Sequence, residues 1–165
     1  MGKRREARER AVQFLFQHDV NPPENLAEAL DRFWEAQRIQ ALGLDKTANW
    51  GEPTALPPAT TEDTALRQFA ERLIRGVLEN RDKLDEQLKT HAKNWDLHRM
   101  AVVDRNILRL GMYEMLYRDD IPPVVSINEA VDIAKKFSTE DSGKFVNGIL
   151  DKVKEGLKRP ARSVQ

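Results

Sequence analysis

The amino-acid sequence predicts an all-α bundle of about seven helices. Apolar residues recur with a period near 3.6 along most of the chain, which indicates amphipathic helices. No stretch alternates apolar and polar residues as a half-buried strand would. Proline, glycine and capping patterns separate the periodic segments, and these residues commonly start and stop helices.

The first two helices are predicted from periodicity and from their stop signals. The first covers about residues 5–18, before the Pro22-Pro23 pair, and Pro23 is expected to open the second, about residues 24–42. Gly43 is expected to end that second helix. Residues 43–62 have no periodicity and contain several prolines, so they predict a long surface loop.

The remaining helices follow from capping patterns and apolar faces. Thr60 and Asp63 form a capping-box pattern that opens the third helix, which we expect to break near Asn80 into a fourth. The fifth, about residues 97–118, is apolar on two faces, which is typical of a central helix. The Ser126–Glu129 pattern predicts a second capping box for the sixth helix. The seventh is expected to be capped by Asp141 or Ser142.

Composition limits the classes of function. The chain has 165 residues, 40% of them hydrophobic and 33% charged, which suits one soluble domain. It contains no cysteine, which excludes thiolate metal sites and cysteine nucleophiles and fits a cytoplasmic protein. No apolar run is long enough to span a membrane. The 27 basic and 27 acidic residues balance, so any polyanion site must be a local patch.

No motif predicts catalysis or metal binding. The three histidines, His18, His91 and His98, lack the close spacing to one another or to carboxylates that a metal site requires. The "DSGK" segment lacks the glycines and the preceding strand of a phosphate-binding loop. We therefore expect neither an enzyme nor a protein that needs a cofactor.

The first helix carries apolar groups on two sides. Ala7, Ala11, Phe14, Leu15 and His18 share one side at 100° per residue. Val12 and Phe16 lie on the other side, in line with charged residues. Either a further helix covers Val12 and Phe16, or they form an exposed patch for a partner protein.

The same helix begins with a cluster of cations. Lys3, Arg4, Arg5 and Arg8 lie where positive charge opposes the helix dipole. This unfavourable placement suggests polyanion binding, although basic N-terminal runs also serve as solubilising tails.

Three segments resemble the NusB family of bacterial transcription antitermination factors. They are "RREARERAVQFLFQ" at 4–17, "NILRLGMYEMLY" at 106–117 and "SINEAVDIAKKFSTEDSGKFVNGILDKV" at 126–153. The resemblance implies two packed three-helix-like bundles in a single domain spanning residues 1–165. Within it we expect an N-terminal subdomain over 1–80, including the loop 43–62, a C-terminal subdomain over 81–155, and a frayed tail over 156–165.

The resemblance also implies function and partners. It implies binding of single-stranded boxA RNA from ribosomal-RNA leader transcripts, together with the ribosomal protein NusE. It further implies association with RNA polymerase and other Nus factors. A helical adaptor that relies on its partners for RNA contact is the alternative, favoured by the neutral net charge and by Glu6 within the basic run. A homodimer also remains open.

Residue roles follow from the same resemblance. It implies an RNA surface that includes Arg109, Lys144 and Phe145 together with the basic cluster of Lys3, Arg4, Arg5 and Arg8. It implies a NusE surface with Phe16 and Asp104, to which the patch interpretation adds Val12. It also implies that Asp141 modulates RNA affinity.

Two of these residues allow a structural interpretation as well. Phe145 lies at the edge of an apolar stripe, so it is either a core side chain or an exposed ring for base stacking. Asp141 is either an N-cap or a negative charge that restrains RNA binding.

Overall fold

A computed structural model describes residues 2–43, 58–92 and 96–157. These residues form seven helices, as predicted: α1 Lys3–Val20, α2 Leu26–Ala41, α3 Thr61–Glu79, α4 Arg81–His91, α5 Val102–Tyr117, α6 Pro123–Phe137 and α7 Glu140–Glu155. A short 3-10 turn, Leu97–Arg99, precedes α5. The predicted loop 43–62 and the predicted tail 156–165 lie largely outside the described residues.

The ends of α2 and α3 show which local signals operate. The N-cap of α2 is Asn25, whose side chain accepts a hydrogen bond from the Glu28 N–H at 2.9 Å, so the prediction that Pro23 opens this helix is wrong. Gly43, just beyond the helix, has a φ of 70°, a conformation that favours glycine. The capping box of α3 is confirmed, because Thr60 and Asp63 exchange side-chain-to-backbone hydrogen bonds at 3.0 and 3.1 Å.

The predicted caps of the last two helices are wrong. α6 begins at Pro123, so Ser126 lies inside the helix and its hydroxyl bonds to Glu114 instead of capping a terminus. The N-cap of α7 is Thr139, whose hydroxyl accepts a hydrogen bond from the Ser142 N–H at 3.0 Å. Asp141 therefore lies within the first turn of α7 and is not its cap.

Helix α5 lies at the centre of the bundle, as its two apolar faces predicted. It packs against α1, α3, α4, α6 and α7. Its buried side chains point in all directions, and buried residues of all seven helices form one connected apolar core. The predicted boundary between subdomains falls at Asn80, where α3 ends and α4 begins.

Close packing between α3 and α5 depends on a glycine. A Cβ added to Gly76 would overlap the phenol ring of Tyr113. The absence of a side chain at Gly76 therefore allows the Tyr113 ring to lie directly on the α3 backbone.

Helix α1 is covered on more than one side. It packs against α3 and α5, and Lys136 of α6 contacts Glu9 of α1 at 3.0 Å. Val12 is only 1% exposed, so of the two alternatives the covered one holds for Val12, and its assignment to an exposed patch is wrong. Phe16, one turn later, stays 40% exposed, as the patch interpretation required.

Candidate nucleic-acid interface

The first turns of α1 distribute the basic cluster between the surface and the interior. Lys3 and Arg4 are exposed, Arg5 is half-buried and Arg8 is buried. The Arg4 guanidinium lies 4.8 Å from the centroid of the Phe69 ring on α3, a cation–π arrangement. Lys3 is 3.5 Å from the Glu62 carboxylate. Lys3 and Arg4 are thus the cations of this cluster that solvent reaches most freely.

Arg8 does not present a free cation at the surface. Its side chain is 4% exposed, and its guanidinium donates to both carboxylate oxygens of Glu114, at 2.7 and 3.0 Å. A third hydrogen bond goes to Glu129 at 3.1 Å. Arg8 therefore has a structural role inside the bundle, where its buried guanidinium is paired with carboxylates as a buried charge requires.

The Arg5 side chain reaches from α1 to α6, where it donates to two carboxylates. Its Nε donates to Glu129 at 2.8 Å and its Nη2 donates to both Glu129 and Asp132, the latter at 2.9 Å. Burial alone would raise the pKa of Glu129, but the hydrogen bond and the charge of Arg5 and the charge of Arg8 lower it below its ordinary value. Glu129 therefore remains an anion at neutral pH.

A groove between α6 and α7 brings Arg5 together with Lys144. It has a volume of about 700 Å³ and is also lined by Lys135, Asn128 and Asn147. Lys144 is exposed and has no ion-pair partner among the described residues. The groove therefore combines cations, which can bind phosphates, with side-chain amides, which can hydrogen-bond to base edges. Asn128 and Asn147 were not predicted as site residues, because an exposed amide on a helix carries no distinctive pattern.

Phe145 takes an intermediate position. It packs against the core, as the interpretation of a core side chain requires, but it is only partly buried, as the interpretation of a stacking ring requires. It does not line the groove that holds Arg5 and Lys144. A base stacked on Phe145 would therefore lie beside this groove and not within it.

Arg109 lies inside the bundle in an acidic network. It is 4% exposed at its side chain and donates to Asp85 at 2.7 and 3.0 Å and to Asp19 at 3.0 Å. Arg105 and Asn106 donate to the same Asp19 oxygen at 2.7 and 3.0 Å. Burial alone would raise the pKa of Asp19, but these hydrogen bonds and the nearby charges lower it to about 2. Arg109 thus ties α4 and the end of α1 to α5.

The residues predicted to face a partner protein differ in accessibility. Phe16 lines a shallow depression of about 360 Å³ with Val12, Val103 and Phe137, rimmed by Gln13, Gln17 and Gln37. Asp104 is 8% exposed and accepts a hydrogen bond from the Ser142 hydroxyl at 3.1 Å. Its other carboxylate oxygen has no hydrogen-bond partner among the described residues. Of these predicted residues, only Phe16 offers a large exposed surface.

The acidic residues that hold the arginines were not predicted as their partners. Glu114, Asp19 and Asp85 were not singled out, and Glu129 was predicted only as a capping residue of the sixth helix. One signal was available, because Glu114 lies within a helix that is apolar nearly all round, and such a charge must be paired.

Two negative findings concern the described part of the chain. No group of three or more histidine, aspartate or glutamate residues there is arranged to hold a metal ion. None of its helices is long and apolar enough to cross a membrane.

Comparison with known proteins identifies relatives over nearly the whole length. Residues 5–155 match the family model described as NusB family. A transcription antitermination protein NusB of Myxococcus xanthus (strain DK1622) is 42% identical over 160 residues, which are 97% of this chain and 100% of that protein. The structure of T. maritima NusB matches with a TM-score of 0.70 and 37% identity, covering 93% of this chain and 91% of that one.

A further solved structure shares the fold at lower identity. It is a crystal structure of antitermination factors NusB and NusE in complex with double-stranded RNA. A chain in it matches with a TM-score of 0.70 and 23% identity, covering 95% of this chain and 99% of that one.

Proposed function

Because this chain belongs to the NusB family, we propose that it is a transcription antitermination factor without catalytic activity. In this proposal it binds single-stranded boxA RNA of ribosomal-RNA leader transcripts together with NusE. The complex then joins RNA polymerase and other Nus factors. In this proposal the protein acts in the cytoplasm.

The groove between α6 and α7 is the observation that carries the proposal. Arg5 and Lys144, which are 139 positions apart in sequence, line one concave surface with the exposed amides of Asn128 and Asn147. Cations that follow the phosphates and polar groups that meet splayed-out bases are the usual means of binding single-stranded RNA. Lys3 and Arg4 are exposed at the start of α1 but do not line this groove.

Phe145 supplies the stacking surface in this proposal. Base–aromatic stacking contributes about 1–3 kcal/mol per base. Replacing Phe145 with leucine keeps an apolar side chain against the core but removes the aromatic face. We therefore expect Phe145→Leu to weaken RNA binding more than it lowers the free energy of unfolding.

Asp141 stays in the proposal as a residue that restrains affinity. It is exposed in the first turn of α7, three residues before Lys144. Because Thr139 is the cap, Asp141→Asn removes only the favourable interaction of the carboxylate with the helix dipole, about 0.3–1 kcal/mol. The substitution should tighten RNA binding, and an unchanged affinity would remove Asp141 from the proposal.

A second candidate function is a helical adaptor whose partners supply most of the RNA contact. The neutralisation of Arg5, Arg8 and Arg109 by carboxylates favours it, because paired guanidiniums attract phosphate less strongly than free ones. A homodimer through the same surfaces is a variant of this candidate. Partner dependence of RNA binding separates the adaptor from the RNA-reading factor.

Fluorescence anisotropy of labelled RNA tests both candidates. A boxA RNA and a scrambled RNA are titrated with the protein, alone and with NusE, at several salt concentrations. Lys144→Gln should weaken binding and reduce the log–log salt slope by about 0.7, the value for one phosphate contact on a single strand. Lys152→Gln, an exposed lysine of α7 outside the groove, is the matched control.

The outcomes separate the candidates. Preference for boxA RNA by the protein alone supports the RNA-reading factor, and binding that appears only with NusE supports the adaptor. No preference for boxA RNA even with NusE would exclude the antitermination proposal. Sedimentation analysis without RNA tests the homodimer.

A further inference from the structure

Two carboxylates one turn apart on α6 share the Arg5 guanidinium, and their surroundings differ. Glu129 is 15% exposed at its side chain and also accepts a hydrogen bond from Arg8. Asp132 is 48% exposed, and its one hydrogen-bond partner among the described residues is Nη2 of Arg5, at 2.9 Å. Glu129 is thus part of the internal ion network, whereas Asp132 is a surface group.

Asp132 also lines the groove that contains Lys144. Arg5, Asp132, Lys135 and Lys144 all contribute to its walls. Of the three cations, Arg5 is paired with Asp132, which also lines the groove. Lys135 lies 3.9 Å from the carboxylate of the exposed Glu140. A phosphate that enters this groove therefore meets a guanidinium that already donates to a surface carboxylate.

A carboxylate and a phosphate use the same donors of a guanidinium. Both accept charge-assisted hydrogen bonds at about 2.7–2.9 Å, and an arginine donor engaged by one is withheld from the other. Glu129 fixes the position of Arg5 by accepting from both Nε and Nη2, and the exposed Asp132 accepts a further hydrogen bond from Nη2.

We propose that Asp132 is an affinity-determining residue of the RNA site, because its carboxylate occupies the Arg5 donor that an RNA phosphate uses. Binding of RNA displaces Asp132 from Nη2 while Glu129 keeps the guanidinium in place. This inference rests on the proposed function of the groove. It gives Asp132 the kind of role that the family resemblance implies for Asp141.

The exposure of the pair sets the size of the effect. Exposed ion pairs are weak, so the competition should lower RNA affinity by about 2- to 5-fold and not abolish binding. The effect should be equal for every RNA sequence, because phosphate contacts carry no sequence information. Asp132 thus lowers the affinity for every RNA equally. Any preference for one RNA sequence comes from the other contacts.

The test is a double-mutant cycle between Arg5 and Asp132. Wild type, Asp132→Asn, Arg5→Gln and the double variant are titrated with labelled boxA RNA and with the scrambled RNA. Asp151→Asn removes the same charge from a half-exposed position on α7 that does not line the groove, and it is the matched control. Circular dichroism checks that each variant is folded.

Asp132→Asn is expected to tighten binding of both RNAs by about 2- to 5-fold and to steepen the salt dependence. Asp151→Asn is expected to have little effect, because Asp151 does not line the groove and its ion-pair partner is Lys154. In the Arg5→Gln background, Asp132→Asn should increase the affinity much less, because the guanidinium that Asp132 engages is absent.

Two results would overturn the inference: an equal gain from Asp151→Asn, or the same gain from Asp132→Asn in the Arg5→Gln background. Either would show a general charge effect. Absence of a preference for boxA RNA in wild type with NusE would instead overturn the proposed function, while the Asp132 effect stays measurable on the scrambled RNA. If neither wild type nor Asp132→Asn binds any RNA, both proposals are wrong.

Discussion

Arg8 and Glu114 form a bidentate ion pair inside the bundle. Nε of Arg8 lies 2.7 Å from Oε2 of Glu114, and Nη2 lies 3.0 Å from Oε1. The Ser126 hydroxyl donates to the same Oε1 at 2.9 Å. The Glu114 carboxylate therefore joins α1, α5 and α6 at one point, and neither charge is left without a hydrogen-bond partner.

Removing one member of this pair should destabilise the protein strongly. Arg8→Met leaves the Glu114 carboxylate buried without its cation, which typically costs about 3–5 kcal/mol. Urea unfolding followed by circular dichroism measures the loss. Arg4→Met, at an exposed position of the same helix, is the control and should change the free energy of unfolding far less. If Arg8→Met were as stable as Arg4→Met, the pair would contribute nothing to the fold.

Adding Glu114→Leu to Arg8→Met should restore part of the loss, because no buried charge then remains.

The network at Asp19 predicts a pH dependence of stability. The pKa of Asp19 is lowered to about 2, so its folded-state pKa lies below its ordinary value of 3.8. A group with a lowered pKa stabilises the folded state above its unfolded-state pKa and loses this contribution as pH falls toward the folded-state value. Asp19→Asn should therefore cost most near pH 6, and the difference from wild type should shrink between about pH 5 and pH 2. Urea midpoints of the two proteins over this range measure it, and a difference independent of pH would contradict the assignment.

Two glycines on different helices should respond oppositely to alanine. Gly76→Ala forces a methyl group into the Tyr113 ring and should destabilise the protein by about 1–3 kcal/mol. Gly148→Ala adds a methyl group in open space on α7 and should stabilise it by about 0.5–1 kcal/mol, because alanine favours the helix. Thermal unfolding of the two variants compares them directly. Equal shifts of Tm would mean that the α3–α5 contact is looser than the structure shows.

Replacing Phe16 should weaken partner binding without a large change in the free energy of unfolding. Phe16→Ala should weaken binding to NusE by about tenfold or more, since aromatic residues at the centre of an interface often contribute over 1 kcal/mol. The change in the free energy of unfolding should stay within about 1 kcal/mol, because the side chain is 40% exposed. Val20→Ala, 60% exposed at the end of the same helix, is the matched control. Isothermal titration calorimetry with NusE measures the affinity, and equal affinities of the two variants would exclude Phe16 from the interface.

The fold could be predicted wherever one local signal had no competitor. The Thr60–Asp63 box begins a helix in the structure as in the sequence, because both side chains form the hydrogen bonds that the pattern predicts. The Ser126–Glu129 pattern has the same form but failed. Pro123 already opens α6, and the two side chains bind Glu114 and the arginines of α1 instead.

The candidate site was harder to predict, because its cations depend on partners far away in sequence. The chain separates Arg5 from Glu129 by 124 positions and Arg8 from Glu114 by 106. Helical periodicity states which face a residue occupies but not which carboxylate it will meet. The family resemblance implied that Arg8 and Arg109 belong to the RNA surface, although the structure buries both. Lys144 was expected at the site and does share the groove with Arg5.

The distance in sequence between α1 and its carboxylates also sets an order of events during synthesis. Glu129 emerges from the ribosome 124 residues after Arg5, an interval of roughly 6–25 s at roughly 5–20 residues per second. Throughout that interval Arg5 lacks both carboxylates that hold it in the folded protein, because Glu129 and Asp132 belong to α6. Arg5 is thus among the first side chains to be made and among the last to be paired. A ribosome that stalls before α6 is complete exposes a nascent chain whose Arg5 still lacks its counter-ions.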